Sequence, residues 1–157
     1  MTRHEIESNN NLFLGLDEAR GDRLVDVIDL WGYRIENVYQ SKEYDKVISY
    51  STNVIPILIR KIKDKNTDIG LRATMAETLT SFGYVLDELG YRHIDFEEID
   101  SVRKLRRGVI KGFDFCLELP TAIFGVAAIT ESLNKLTPTE DVIILRQKLA
   151  ARQITSK

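Results

Sequence analysis

Few residues in this sequence have side chains suited to catalysis or metal binding. The only imidazoles are those of His4 and His93, and the only thiol is that of Cys116. One cysteine and two histidines cannot supply the four ligands of a structural Cys/His zinc site, and a lone cysteine forms no disulfide within its own chain. Cys116 lies between Phe115 and Leu117, a setting typical of a buried and unreactive thiol. The sequence therefore predicts no catalytic residue, no metal site and no cofactor.

The most distinctive charges form a basic cluster within residues 103–111. Arg103, Arg107 and Lys111 follow one another at four-residue intervals, which places them on one face of a helix. Guanidinium groups match carboxylates and phosphates, so this face predicts docking to an acidic surface of a partner protein, with a nucleic-acid backbone as the alternative ligand. The acidic residues of 95–100 precede the basic residues along the predicted helix. The helix dipole alone favours this order, so the order does not require a binding function. The predicted partner-binding residues are Arg72, Arg103, Arg106, Arg107 and Lys111.

A second and looser basic run contains Arg60, Lys61, Lys63 and Lys65. Taken alone, a run of this kind is usually solvated surface. The docking prediction strengthens if folding brings the two basic runs together. The acidic residues of segment 17–36 are an alternative ion-pair partner for either basic run, within one chain or between two copies. Association of the chain with itself therefore also stays open.

Length and composition describe an ordinary globular chain. It has 157 residues, of which 43% are hydrophobic and 29% charged, with a formal net charge of -2. This balance excludes the uniformly basic class of nucleic-acid-binding proteins, although not a local basic patch. We expect one domain over 1–157 with poorly ordered ends at 1–11 and 151–157. We also expect no membrane span and, because a lone thiol suits a reducing compartment, a cytoplasmic location.

Helical periodicity runs through nearly the whole chain. The clearest apolar stripe steps by four and three residues through Leu24, Ile28, Trp31, Ile35 and Val38. Further helices are predicted over 44–51, from 53 with Pro56 in the first turn, over 68–90 with Gly90 as the stop, and over 95–111, 120–136 and 141–149. Segment 120–136, apolar on most sides, is expected to be the central buried helix. The predicted fold is all-α, a compact bundle of six or seven helices, with strand as the competitor at 142–144.

Residues 54–83 resemble one helical hairpin of the HEAT-repeat type. Pro56 comes early in the first segment, Asp64 ends it, and Leu71 with Arg72 opens the second segment, where small residues follow at 73 and 76. The resemblance implies two antiparallel helices and a surface that binds other proteins. The seam between them is predicted to contain Leu58, Ile62, Leu71 and Leu79.

Residues 76–98 are similar to the end of the MazG-like all-α nucleotide pyrophosphatases. Those enzymes hold magnesium with carboxylates spaced along two helices, and the resemblance implies that Glu77 would take one such place. Thr80 stands where the family pattern has a second carboxylate, and upstream Glu43 and Asp45 point to different sides of a helix. A magnesium-dependent pyrophosphatase is therefore an alternative, and the leading prediction is a small non-catalytic binding protein: an inhibitor, immunity-type protein, adaptor or chaperone.

Overall fold

The computed structural model describes residues 15–64, 66–92, 97–118 and 123–155. This part of the chain contains six long α-helices, a further helical turn at 15–18, one π-helical turn and no strand, which confirms the predicted all-α bundle. The helices are α1 (Gly21–Gln40), α2 (Tyr44–Lys63), α3 (Ile69–Asp87), α4 (Ile99–Glu118), α5 (Ile123–Lys135) and α6 (Glu140–Thr155), with the π turn at Glu88–Arg92 between α3 and α4. Both histidines and the expected ragged end at 1–11 lie outside the described residues, whereas 151–155 continue α6.

The centre of the bundle is α3, which packs against α1, α2, α4 and α5. Its buried side chains lie around most of its circumference, from Met75 and Ala76 to Val85 and Leu86. The sequence placed the central helix at 120–136 instead, and this was wrong. From Ala127 onward α5 is amphipathic, since Ile129 and Leu133 are buried while Glu131 is exposed.

Pro56 lies inside α2 and does not begin a new helix as the sequence analysis predicted. The apolar stripe of α2 continues past it without a change of phase, through Val54 and Ile55 to Leu58 and Ile62, all of which are buried. The proline itself is exposed. Because its ring removes one backbone donor, the α-helical bond to the carbonyl of Thr52 is lost, at the surface where water can replace it.

Asp68 caps α3, since its side chain accepts a hydrogen bond of 3.1 Å from the backbone N–H of Gly70. Gly90, however, does not end the helix, because the chain continues through it as the π turn. A β-carbon at Gly90 would lie 3.3 Å from side-chain atoms of both Val102 and Arg103. The glycine is therefore explained by the close approach of α4 and not by a helix stop.

Helices α2 and α4 lie side by side and run parallel. Gly108 faces Ile55 and Gly112 faces Ile59, so the contacts advance in the same direction along both helices. The two glycines differ in the space around them. A β-carbon at Gly108 would meet Ile55 at an ordinary 3.8 Å, whereas one at Gly112 would lie 3.0 Å from Leu79 and 3.3 Å from Ile59.

This difference predicts opposite effects on stability. Gly108→Ala should raise the free energy of unfolding by about 1 kcal/mol, because alanine costs less backbone entropy in a helix than glycine and finds room here. Gly112→Val should lower it by about 2 kcal/mol, because added carbon overpacks a seam between three helices. Urea titration followed by circular dichroism measures both. Equal shifts for the two variants would contradict the close approach of Leu79 and Ile59 to Gly112.

Candidate protein-binding groove

A groove of about 750 Å³ lies on the surface between α2 and α4, and we call it the α2–α4 groove. Its lining combines apolar side chains with a few hydroxyls and three cations, and it includes no carboxylate. The lining residues are Ile48, Thr52, Ile55, Pro56, Ile59, Arg60, Lys63, Ser101, Lys104, Leu105 and Gly108. No sequence pattern predicted this groove, since its two walls are separated along the chain by α3.

The groove joins the two basic runs. Arg60 and Lys63 from α2 and Lys104 from α4 all line it. Arg60 pairs with Asp17, and the ammonium of Lys63 lies 3.8 Å from the centroid of the Phe115 ring. The two runs thus meet at one apolar surface through these three residues. The condition for the docking prediction is met only in part, because Arg103, Arg107 and Lys111 do not line the groove.

Lys104, Arg107 and Lys111 form what we call the cationic flank of the groove. Their spacing places them along one side of α4, and all three are exposed. None of them has an ion-pair or hydrogen-bond partner among the residues that the structure describes. Two of the predicted binding residues, Arg107 and Lys111, are thus available to a ligand, and Lys104 joins them.

Arg103 has a structural role. It is half-buried, its Nε donates a hydrogen bond of 2.9 Å to the carbonyl oxygen of Gly90, and its guanidinium carbon lies 4.5 Å from the centroid of the Tyr91 ring. These contacts tie α4 to the π turn. The predicted role of Arg103 in binding a partner would compete with them.

Arg106 does not lie on the surface, and its prediction as a docking residue was wrong. Its side chain is fully buried, with Nε 3.0 Å from Oδ1 of the equally buried Asp87. The remaining nitrogens donate to the Thr139 hydroxyl at 2.8 Å and to the Thr137 carbonyl oxygen at 2.6 Å. The reason lies in the register of α4: Arg106 occupies the step between Val102 and Val109 in the buried stripe.

Asp87 completes this buried polar cluster. Its carboxylate accepts hydrogen bonds from the backbone N–H and the hydroxyl of Thr137, at 3.0 and 3.2 Å. Arg92 lies 3.6 Å from the same carboxylate. The cluster therefore fixes the connector between α5 and α6 onto α3 and α4, a role in folding and not in binding.

Arg72 lies at the start of α3 and does not line the groove. It is half-buried, and its Nη2 donates a hydrogen bond of 2.7 Å to the carbonyl oxygen of Asp64, the residue that ends α2. The same carbonyl oxygen also accepts a hydrogen bond of 3.1 Å from the backbone N–H of Thr67, so Arg72 adds a side-chain contact to the turn that follows α2. The structure thus places Arg72 as a clamp between two consecutive helices.

The carboxylates of the described residues do not converge. Glu77, Glu43 and Asp45 are all exposed, and no group of three or more His, Cys, Asp or Glu side chains in the described ranges could hold a metal ion. The magnesium-binding arrangement that the MazG-like resemblance implies thus gains no support from these residues.

Cys116 is buried, and burial raises the pKa of its thiol to about 11. Since the thiolate is the nucleophile and the raised pKa keeps the thiol protonated, we expect native protein at pH 8 to react about 100-fold more slowly with Ellman's reagent than unfolded protein. The same reaction in guanidinium chloride gives the reference rate. Equal rates in the two states would contradict the burial of the thiol.

No helix in the described ranges combines the length and apolar character that a membrane crossing requires. Comparison of the chain with protein-family models, with curated proteins and with solved structures finds no match. The HEAT-like nature of the α2–α3 hairpin therefore stays a prediction, and a function for this chain has to be inferred from its own surface.

Proposed function

We propose that this chain is a small non-catalytic binding protein that occupies an acidic surface of a partner protein. The α2–α4 groove and its cationic flank form the contact. An inhibitor, an immunity-type protein, an adaptor and a chaperone would all act in this way. A cytoplasmic location is part of the proposal, because a reducing compartment suits a single free thiol.

One observation carries this proposal: an apolar groove lies beside three exposed cations that have no partner among the described residues. Single apolar residues at a surface are normal, but an apolar lining that extends along two helices marks a site of interaction. Charges around such a site select a partner of opposite sign and speed the encounter. The two features together favour a ligand with apolar side chains flanked by carboxylates.

A nucleic acid is less well matched to the same surface. Its backbone would satisfy Lys104, Arg107 and Lys111, but phosphates and sugars leave the apolar lining without a complementary group. The groove includes Ile48, Ile55, Ile59 and Leu105, none of which is an aromatic platform for stacking a base. The apolar lining therefore favours protein over nucleic acid.

Affinity capture from native lysate tests the proposal. Wild-type protein should retain a partner that the Lys104→Glu/Arg107→Glu/Lys111→Glu variant does not retain, with both samples analysed by mass spectrometry. A variant with three reversed charges at Arg23, Lys42 and Lys135, which are exposed and lie outside the groove, is the matched control and should keep the partner. If the triple variant retains the same proteins as the wild type, the groove is not the binding surface. Nucleic acid alone in the captured material would favour the alternative ligand.

A further inference from the structure

The length of the α2–α4 groove favours a helical ligand. Ile48 and Lys63 both line it, and a helix rises about 1.5 Å per residue, so the groove follows α2 for about 22 Å. The wall on α2 matches about four turns of a partner helix, and the wall on α4, from Ser101 to Gly108, matches about two turns. The lining residues on α4, from Ser101 to Gly108, recur at helical intervals and provide a row of contacts for apolar side chains spaced in the same way.

Charge is distributed unevenly along the groove. Because α2 and α4 are parallel, their first turns lie at one end, where Asp45, Glu98 and Asp100 are exposed. From Lys104 onward cations predominate, with Arg107 and Lys111 on α4 and Arg60 and Lys63 on α2. The carboxylates toward that end are fewer: Asp17 pairs with Arg60 and Asp114 with Lys148, which leaves Asp64 and Glu118 exposed. The groove therefore has an acidic end and a basic end.

This polarity gives a bound helix a direction. Acidic residues are most favourable in the first turns of a helix, where they also meet the positive end of its dipole. A ligand helix with its acidic first turns at the basic end would run antiparallel to α2 and α4. Its dipole would then oppose the dipoles of both, whereas the reverse direction would place carboxylates beside Asp45 and Asp100.

We infer that the ligand of the α2–α4 groove is an amphipathic helix of a partner protein, with carboxylates in its first turns, that binds antiparallel to α2 and α4. This inference rests on the proposed function and adds the form, the charge and the direction of the ligand.

A cross-linking experiment with the full chain tests the direction. The probe is a helical peptide of about sixteen residues with leucines at three- and four-residue intervals, glutamates in its first two turns and a bromoacetyl group at its N-terminus. Two protein variants each carry one new thiol: Glu118→Cys at the basic end and Ser101→Cys at the acidic end, both at exposed positions. These positions are about 25 Å apart along α4. Wild-type protein, with only the buried thiol of Cys116, is the control for background.

The expected result is at least tenfold more cross-linked product with Glu118→Cys than with Ser101→Cys. Addition of Thr52→Trp, which fills the groove from its exposed edge, should abolish the product. Preferential reaction with Ser101→Cys would overturn the direction, and no reaction with either variant would overturn the helical ligand. Both of these outcomes are independent of whether the Lys104→Glu/Arg107→Glu/Lys111→Glu variant loses the captured partner. The helical form and the direction of the ligand can therefore be disproved while the proposed function stands.

Discussion

Replacement of Arg106 by methionine should lower the free energy of unfolding by about 3 kcal/mol, because it removes the cation nearest to the buried carboxylate of Asp87 and leaves only the half-exposed Arg92, 3.6 Å away. Asp87 is 2% exposed and Arg106 is fully buried, so water cannot take the place of the lost partner. The variant also frees the Thr137 carbonyl oxygen and the Thr139 hydroxyl, to which Arg106 donates. Urea denaturation followed by circular dichroism and by Trp31 fluorescence measures the loss.

The neighbouring substitution Arg107→Met is the matched control. It removes the same charge from the same helix, but at an exposed position without a partner among the described residues, so we expect a change within about 0.5 kcal/mol. The double variant Asp87→Leu/Arg106→Met should recover part of the loss, since it removes both charges together. An Arg106→Met protein as stable as Arg107→Met would show that the buried pair does not form.

The helices and their buried faces could be predicted from the sequence wherever one apolar stripe determines them. All five residues of the α1 stripe, from Leu24 to Val38, are buried. The break predicted before Pro56 was wrong because a proline on the exposed side of a helix costs one hydrogen bond, while the stripe beneath it packs as before. The choice of α3 as the centre depends on which helices surround it, and no local pattern contains that information.

The candidate site was less predictable, for two separate reasons. Arg106 carried a local signal, because it fills the four- and three-residue steps between Val102, Val109 and Phe113. Assigning Arg106 to that apolar stripe would have predicted that its side chain is buried. The α2–α4 groove has no such signal, since it depends on the parallel packing of two helices that are not consecutive. Only the basic cluster within 103–111, to which Lys104 belongs, and the second basic run pointed toward it.

The largest expected effect on binding comes from reversing all three charges of the cationic flank. We expect Lys104→Glu/Arg107→Glu/Lys111→Glu to weaken the affinity for the captured partner about 100-fold. An exposed ion pair contributes at most about 1 kcal/mol, and reversal replaces each attraction by a repulsion of similar size. Because exposed charges are screened within about 8 Å at physiological ionic strength, the difference between wild type and variant should shrink as salt is added. Isothermal titration calorimetry at two salt concentrations measures both effects.

The neutral variant Lys104→Gln/Arg107→Gln/Lys111→Gln separates attraction from repulsion and should lose about 10-fold in affinity. Its affinity should also depend less on salt than that of the wild type. The apolar lining remains intact in this variant, so residual binding should persist and should disappear when Thr52→Trp is added to fill the groove. A neutral variant that binds as tightly as the wild type would mean that the apolar lining alone selects the partner, and the flank would then have no part in recognition.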